Sequence, residues 1–244
     1  MAEASQRELI ESMMRTHPHL AEALAYLASI DTKGAPSDRP RRRWDHDLIA
    51  QLVAEGCSVL DLGCGEGDLL ARLISTRGCR GQGVENDGES IIRCVEKGVP
   101  VIQSDLDEAL PGFPAASFDF VVLEETLQTV RRPQVVLDEM LRIGRTGIVS
   151  FPNFGHWWVR TQLLVEGRMP VTPRLPHTWY GTPNIHVLTV RDFEVWCQNN
   201  HVAVHRKYAY AEGEYHELLP ADNVLAEEAL FVIGRGEAQY DWVI

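Results

Sequence analysis

The apolar positions of the chain change period repeatedly, and the changes mark out its elements. From Trp44 to Glu55, Leu48, Ile49, Leu52 and Val53 recur at helical spacing, and Gly56 closes the segment. Ser58-Val59-Leu60 and Leu62 follow as a short apolar run, the mark of a strand covered on both faces. Leu69, Leu70, Leu73 and Ile74 return to helical spacing, and Gly78 ends that helix. The alternation continues with strands at Arg80–Glu85, Val99–Gln103, Ser117–Leu123 and Thr146–Phe151, and with helices at Ile91–Lys97, Pro133–Leu141 and Arg191–Asn199. His201–Tyr210 and Glu228–Ile233 read as the sixth and seventh strands. Strands alternating with helices predict an α/β fold with a mostly parallel sheet. The last two strands have no long helix between them, so an antiparallel hairpin is expected at the sheet edge. Upstream, Leu9, Ile10, Met13 and Met14, then Leu20, Leu24 and Leu27, form two helical stripes separated by Thr16-His17-Pro18. Residues Asp31 to Arg43 are rich in Gly, Pro and Arg and read as a linker. The expected organisation is a helical arm and basic linker over residues 1–43 and one domain over residues 44–244. The arm reads as a helical layer packed on the domain, with a lid or a partner-binding role as the sharper reading.

The first strand leads into Gly63-Cys64-Gly65-Glu66-Gly67, with Asp61 two residues before the first glycine. Glycine permits unusual backbone angles and lets a ligand approach the main chain. Asp68 is placed to cap the helix that follows, and a helix N-terminus suits a polar or anionic group. The spacing is Gly-x-Gly-x-Gly, not the Gly-x-Gly-x-x-Gly of dinucleotide sites. It resembles the first motif of class I S-adenosylmethionine (SAM) methyltransferases. That ligand carries an ammonium and a carboxylate at its amino-acid end, which gives Asp61 a purpose. Glu85 stands 18 residues beyond Gly67 (85 − 67). An acid near that distance meets ribose hydroxyls in doubly wound folds. The resemblance further implies that Asp105, with the adjoining Leu106, meets the adenine, while Asp107 reads as a loop or cap residue. Phe118-Asp119 before the fourth apolar run also resembles this superfamily. Glu124 and Glu125 fall at the carboxyl end of that strand, where open α/β sheets bind ligands.

Charge narrows the partners. With 23 basic and 35 acidic residues the net charge is −12, which disfavours nucleic acid, since phosphate binding needs a positive surface. The exception, Arg39-Pro40-Arg41-Arg42-Arg43, reads as a solvated linker. The five cysteines form no Cys-x-x-Cys pair and no metal spacing, so neither a disulfide frame nor a metal is expected, and a reducing, cytoplasmic setting is. The first residues lack the apolar core of a signal peptide.

Beyond the fifth strand the sequence is unusual. Pro152 to Arg160 packs aromatics, His156 and an arginine into a segment read as a loop. Gly167 to His186 reads as an irregular insertion over the site face. The phrases Gly98–Leu110, Thr126–Pro133, Gly147–Trp157, Gly167–His186 and Arg191–Glu194 resemble the MetW (methionine biosynthesis protein W) family over about Val53 to Gly234. Residues 1–43 have no counterpart in those phrases, and Glu124-Glu125 stand where the family phrase is less acidic. The resemblance implies a Rossmann-like class I methyltransferase fold with a seven-stranded, mostly parallel sheet and an antiparallel last strand. It also implies a methionine-biosynthesis role in association with homoserine O-acyltransferase.

Three functions stand beside one another: a SAM-binding partner subunit, an active methyltransferase on a small molecule, and a dehydrogenase with an atypical turn. SAM or S-adenosylhomocysteine is the expected ligand of Asp61, Gly63, Gly65, Gly67, Glu85, Asp105 and Leu106. Methyl transfer mainly needs alignment of the nucleophile, and where a proton must be removed, Glu124, Glu125 and His156 are the candidate bases. For the partner reading, Trp157, Trp158, Trp179 and Tyr180 are of the types enriched at binding hot spots.

Overall fold

The computed structural model describes residues 43–108 and 110–236; the expected helical arm and, apart from Arg43, the basic linker lie outside the described residues. Helix α1 spans Trp44–Leu52, followed by β1 (Ser58–Leu62), α2 (Asp68–Arg77), β2 (Arg80–Glu85), α3 (Gly88–Glu96), β3 (Val101–Gln103) and β4 (Phe118–Glu124). The second half contains α4 (Pro133–Ile143), β5 (Gly144–Pro152), α5 (Trp157–Glu166), α6 (Val190–Asn199), β6 (Ala203–Ala211), β7 (Glu214–Glu217), the single turn α7 (Asp222–Leu225) and β8 (Glu228–Gly234).

The strands form one sheet in the order β3-β2-β1-β4-β5-β8-β6-β7. The first five are parallel, and β8 runs antiparallel between β5 and β6. Among the described residues eight strands are present where the hydrophobic pattern predicts seven. The additional one, Glu-Tyr-His-Glu at 214–217, is too short and polar to show an alternating pattern, and it pairs only with β6 at the edge. The two strands read from the sequence as the sixth and seventh, β6 and β8, do pair antiparallel as expected, but β7 lies between them in the chain and β8 lies inside the sheet.

The two sheet faces bury different layers. Leu60, Leu62, Val121 and Leu123 pack with α4 and α6. Val59, Phe120, Val122, Ile148 and Leu230 pack with Trp44, Leu48 and Ile49 of α1 and with α2. Strands β1 and β4 therefore bury both faces, which is why their sequences are continuous apolar runs.

Local sequence also sets the helix ends. Gly78 and Gly167 adopt left-handed backbone after α2 and α5. Thr189 and Asp192 form a reciprocal capping box on α6. Asp68 does not cap α2: the capping position is Gly67, and the Asp68 carboxylate bonds Lys97 instead. The aromatic segment after β5 becomes helical at Trp157, so only Asn153–His156 remain as a loop before it.

Candidate functional site

Register brings three acids to one rim of the sheet. Asp61 is aligned with Val122, one pleat repeat before Glu124 on β4. Glu124 is aligned with Ser150 on β5, and β8 carries Leu230 opposite Ser150 and Glu228 opposite Pro152. Because side chains alternate along a strand, Asp61, Glu124 and Glu228 project to the face that α1 covers. All three are almost fully buried.

The start of α1 supplies their partners. Arg43 Nη2 bonds Glu124, and His46 Nε2 lies 3.1 Å from the other Glu124 oxygen. Arg43 Nε also reaches Asp45 at 3.3 Å. Trp44 Nε1 donates to Glu228. Arg43 is the last residue of the basic run expected to be solvated linker. It instead forms an ion pair while staying partly exposed, because Glu124, 81 residues away, is folded beside it.

Asp45 lies beside Glu124, and burial together with that neighbouring carboxylate pushes Asp45 above the usual carboxylate range. Burial also acts to raise Glu124, but His46, Asp45 and Arg43 outweigh it and hold Glu124 ionised. Asp45, His46 and Glu124 present ligand atoms within 4.8 Å of one another. Sequence spacing did not reveal this cluster because Glu124 is so distant. The guanidinium of Arg43 already supplies its positive charge.

Asp61 lacks such a partner. Its Oδ1 is buried without a hydrogen bond among the described residues. Burial and the nearby Glu124 charge raise its pKa well above the usual carboxylate range. A buried polar atom left unpaired costs about 1–3 kcal/mol, so this atom is poised for a donor.

The turn beside it is built for close approach. Gly63, Gly65 and Gly67 all have positive φ. A methyl added at Gly63 would meet Thr126 at 2.7 Å, and one at Gly67 would meet Cys94 Sγ at 2.9 Å. At Gly65 it would meet nothing within 4 Å. Gly65 N–H donates to Glu85 Oε2 at 2.8 Å, while Asn86 and Asp87 N–H groups donate to Oε1. A carboxylate has about four lone-pair directions, so the one remaining lies on Oε2. The orphaned Asp61 oxygen, the open space at Gly65 and the oriented Glu85 fit a nucleoside with a cationic amino-acid tail.

The other expected site residues are distributed differently. Asp105 accepts from Asp107 N–H and from Arg131 at 3.0 Å, and Leu106 packs partly buried on the core. Asp107 is the more buried acid, bonded by Arg131 Nε and Arg132 N–H. Glu125 has φ +47, and its N–H bonds the Ser150 carbonyl. His156 caps α5 by accepting from Trp158 N–H, and burial lowers its pKa to about 4. It lines a small hollow with Asn153, Val159, Arg174 and Glu227. Arg174 and Glu228, absent from the sequence-derived candidates, form a second buried ion pair at 3.0 Å. Their only sequence signal was residue type.

Residues 43–233 match the family described as "Methionine biosynthesis protein MetW". The chain is 38% identical over 157 residues to the "Bifunctional methionine biosynthesis protein MetXA/MetW" of Rhodopirellula baltica, covering 61% of this chain and 25% of that protein. It thus spans about a quarter of that relative's length. A SAM-dependent methyltransferase from Thermotoga maritima shares the fold at TM-score 0.59 and 14% identity, over 79% of this chain and 88% of the other. One from Aquifex aeolicus does so at TM-score 0.50 and 17% identity, over 78% and 88%. The [4+2]-cyclase SpnF is similar at TM-score 0.58 and 14% identity, over 91% and 94%. The fold is therefore one that SAM-dependent methyltransferases share, and at these identities the likeness establishes the fold alone. No helix among the described residues is long and apolar enough to cross a membrane.

Proposed function

The chain belongs to the methionine biosynthesis protein MetW family, and on that premise we propose that it is a cytoplasmic SAM-binding subunit that associates with homoserine O-acyltransferase and supports its activity. The observation that carries the ligand half is the glycine turn, with its orphaned Asp61 oxygen and the oriented Glu85 carboxylate. Asp61 would hold the ammonium of SAM, Glu85 a ribose hydroxyl, and Asp105 with Leu106 the adenine edge. SAM, when bound, supplies an electrophilic methyl on sulfur. The chain's own residues bind and orient it, and Arg43 neutralises Glu124 beside it. The partner half is supported by the relative that unites MetXA and MetW in one chain.

Turnover on a small molecule is the second reading, supported by the activity named for the Thermotoga and Aquifex proteins. Two features weigh against it. Both Glu124 oxygens are engaged, by Arg43 and by His46, which weakens it as a base, and His156 uses Nδ1 to cap a helix. The test is co-purification of the full chain with the acyltransferase, assayed with and without SAM, alongside calorimetry with SAM and S-adenosylhomocysteine. Complex formation with a gain in acyltransferase activity is expected. Absence of both association and nucleoside binding overturns the proposal, and SAM consumption in a metabolite extract selects the second reading.

A further inference from the structure

Among the described residues, much of the exposed apolar surface falls in one stretch of the sequence. Of the fifteen large apolar side chains that stand exposed among the described residues, nine lie between Leu163 and Val187, led by Leu164, Val165, Trp179 and Tyr180. Helix α5 buries only Val159. Leu164 is 86% exposed on its last turn, and Trp179 and Tyr180 are 74% and 77% exposed with their rings edge to face. Scattered exposed apolar residues are ordinary, but a concentration of this kind marks an interaction surface.

Charge sets the same stretch apart. From Gly167 to Arg191 there is no Asp or Glu, although the chain carries −12 overall, and Arg168, His177, His186 and Arg191 lie within it. Depletion of acids around exposed aromatics is the composition of a binding-interface core with a basic rim.

The stretch also encloses a hollow of about 170 Å³ lined by Met169, His177, Trp179, Val187 and Gln128. Gln128 is 5% exposed. Its Nε2 donates to the Glu125 carbonyl at 2.7 Å, which fixes the amide, and its Oε1 has no partner among the described residues. Ile185 and His186 N–H groups both donate to the Gln128 carbonyl, tying the hollow's rim to the loop that follows Glu124. A hollow lined by Met169, Trp179 and Val187 beside the polar Gln128, Thr182 and Asn184 fits a single large side chain that carries a donor, such as Tyr, Trp or Arg. Those residues dominate interface energetics when they fill such a pocket.

We propose that the last turn of α5 and the 167–187 segment form the surface on which homoserine O-acyltransferase docks, through an aromatic or arginine anchor seated in the Gln128–Trp179 hollow and an acidic rim facing Arg168 and Arg191. The inference rests on the partner reading above, and the relative that joins a MetXA part to a MetW part supplies the occupant.

The test measures binding of the full chain to the acyltransferase by calorimetry, at low and high salt, for Leu164→Glu, Trp179→Ala and Gln128→Leu. Ile92→Glu on α3, exposed and apolar but remote in sequence from this stretch, is the control. Thermal unfolding and SAM binding check that each variant is folded. Losses of about tenfold or more for Leu164→Glu and Trp179→Ala, a salt-sensitive wild-type affinity and an unaffected control are expected. If the wild type binds and these variants bind equally well, the surface is wrong while the partner reading stands. If the wild type does not bind, the partner reading fails and takes this proposal with it. If sedimentation shows that the variants instead break a complex of this chain with itself, the occupant is a second copy and the proposal is overturned.

Discussion

Arg174 and Trp44, 130 positions apart in the chain (174 − 44), hold the same buried carboxylate. Arg174 Nη1 lies 3.0 Å from Glu228, Trp44 Nε1 donates to it, and both pack on Tyr210, the guanidinium 4.5 Å above the ring and the indole stacked at 5.1 Å. Arg174 also reaches Glu227 at 3.3 Å. One residue from the irregular segment thereby locks that segment to the layer covering the cleft.

Removing this cation leaves two carboxylates without it. Arg174→Met is expected to cost about 3 kcal/mol, because a buried charge that loses its partner is not resolvated. At this chain length that lowers the melting temperature by roughly 6–12 °C. Adding Glu228→Gln should recover part of the loss, and calorimetric unfolding of the double-mutant cycle checks it. Additive effects of the two changes would refute the pairing.

Asp61→Asn should move stability and binding in opposite directions. The free protein carries a buried carboxylate oxygen without a partner, so the amide leaves the melting temperature unchanged or higher. SAM affinity should fall by about 10–100-fold with the loss of a charge-assisted hydrogen bond. Calorimetry alongside thermal unfolding reads both, and unaltered affinity would remove Asp61 from the ligand site.

The glycine turn gives a graded series. Gly67→Ala sets a methyl 2.9 Å from Cys94 Sγ at φ +77, and about 2–3 kcal/mol of stability should be lost. Gly65→Ala meets open space at φ +52 and should cost only about 1 kcal/mol. It should nevertheless weaken SAM binding, since its methyl points where the nucleoside would approach. Denaturant titration ranks the two, and equal costs would contradict the packing.

The pH dependence has a defined sign at His156. Its pKa is lowered from 6.5 to about 4 by burial and by Arg160. The unfolded chain therefore binds the proton first as pH falls, and the stability that neutral His156 contributes above about 6.5 declines down to about 4. The integrated loss is up to about 3 kcal/mol. Asp45, whose folded pKa is raised, works the other way: its contribution is full below the unfolded value and declines as pH rises toward its folded one. His156→Asn keeps a capping acceptor and removes the titration, so subtracting its stability profile from that of the wild type cancels Asp45. A flat difference between pH 6.5 and 4 would show that His156 is not buried neutral.

Much of this was legible because it is local. The Gly63–Gly67 turn, the left-handed caps at Gly78 and Gly167 and the Thr189–Asp192 box depend on residues within a few positions. Strand identity followed from apolar runs, since β1 and β4 bury both faces. The edge strand β7 escaped notice because four mostly polar residues carry no period. The aromatic run after β5 read as loop because α5 has apolar side chains on more than one face.

The sequence by itself determined most of the element order, the family and the glycine turn after the first strand, because backbone preferences and periodicity act over short spans of chain. Only the tertiary structure decided what stands around that turn. The pairing of Arg43 with Glu124, the approach of Asp45 and His46 to Glu124, the burial of the unpaired Asp61 oxygen and the seat of Arg174 on Glu228 all depend on residues far apart in the chain. Their energies depend on burial and on distances of a few ångströms, which strand register sets and residue type does not.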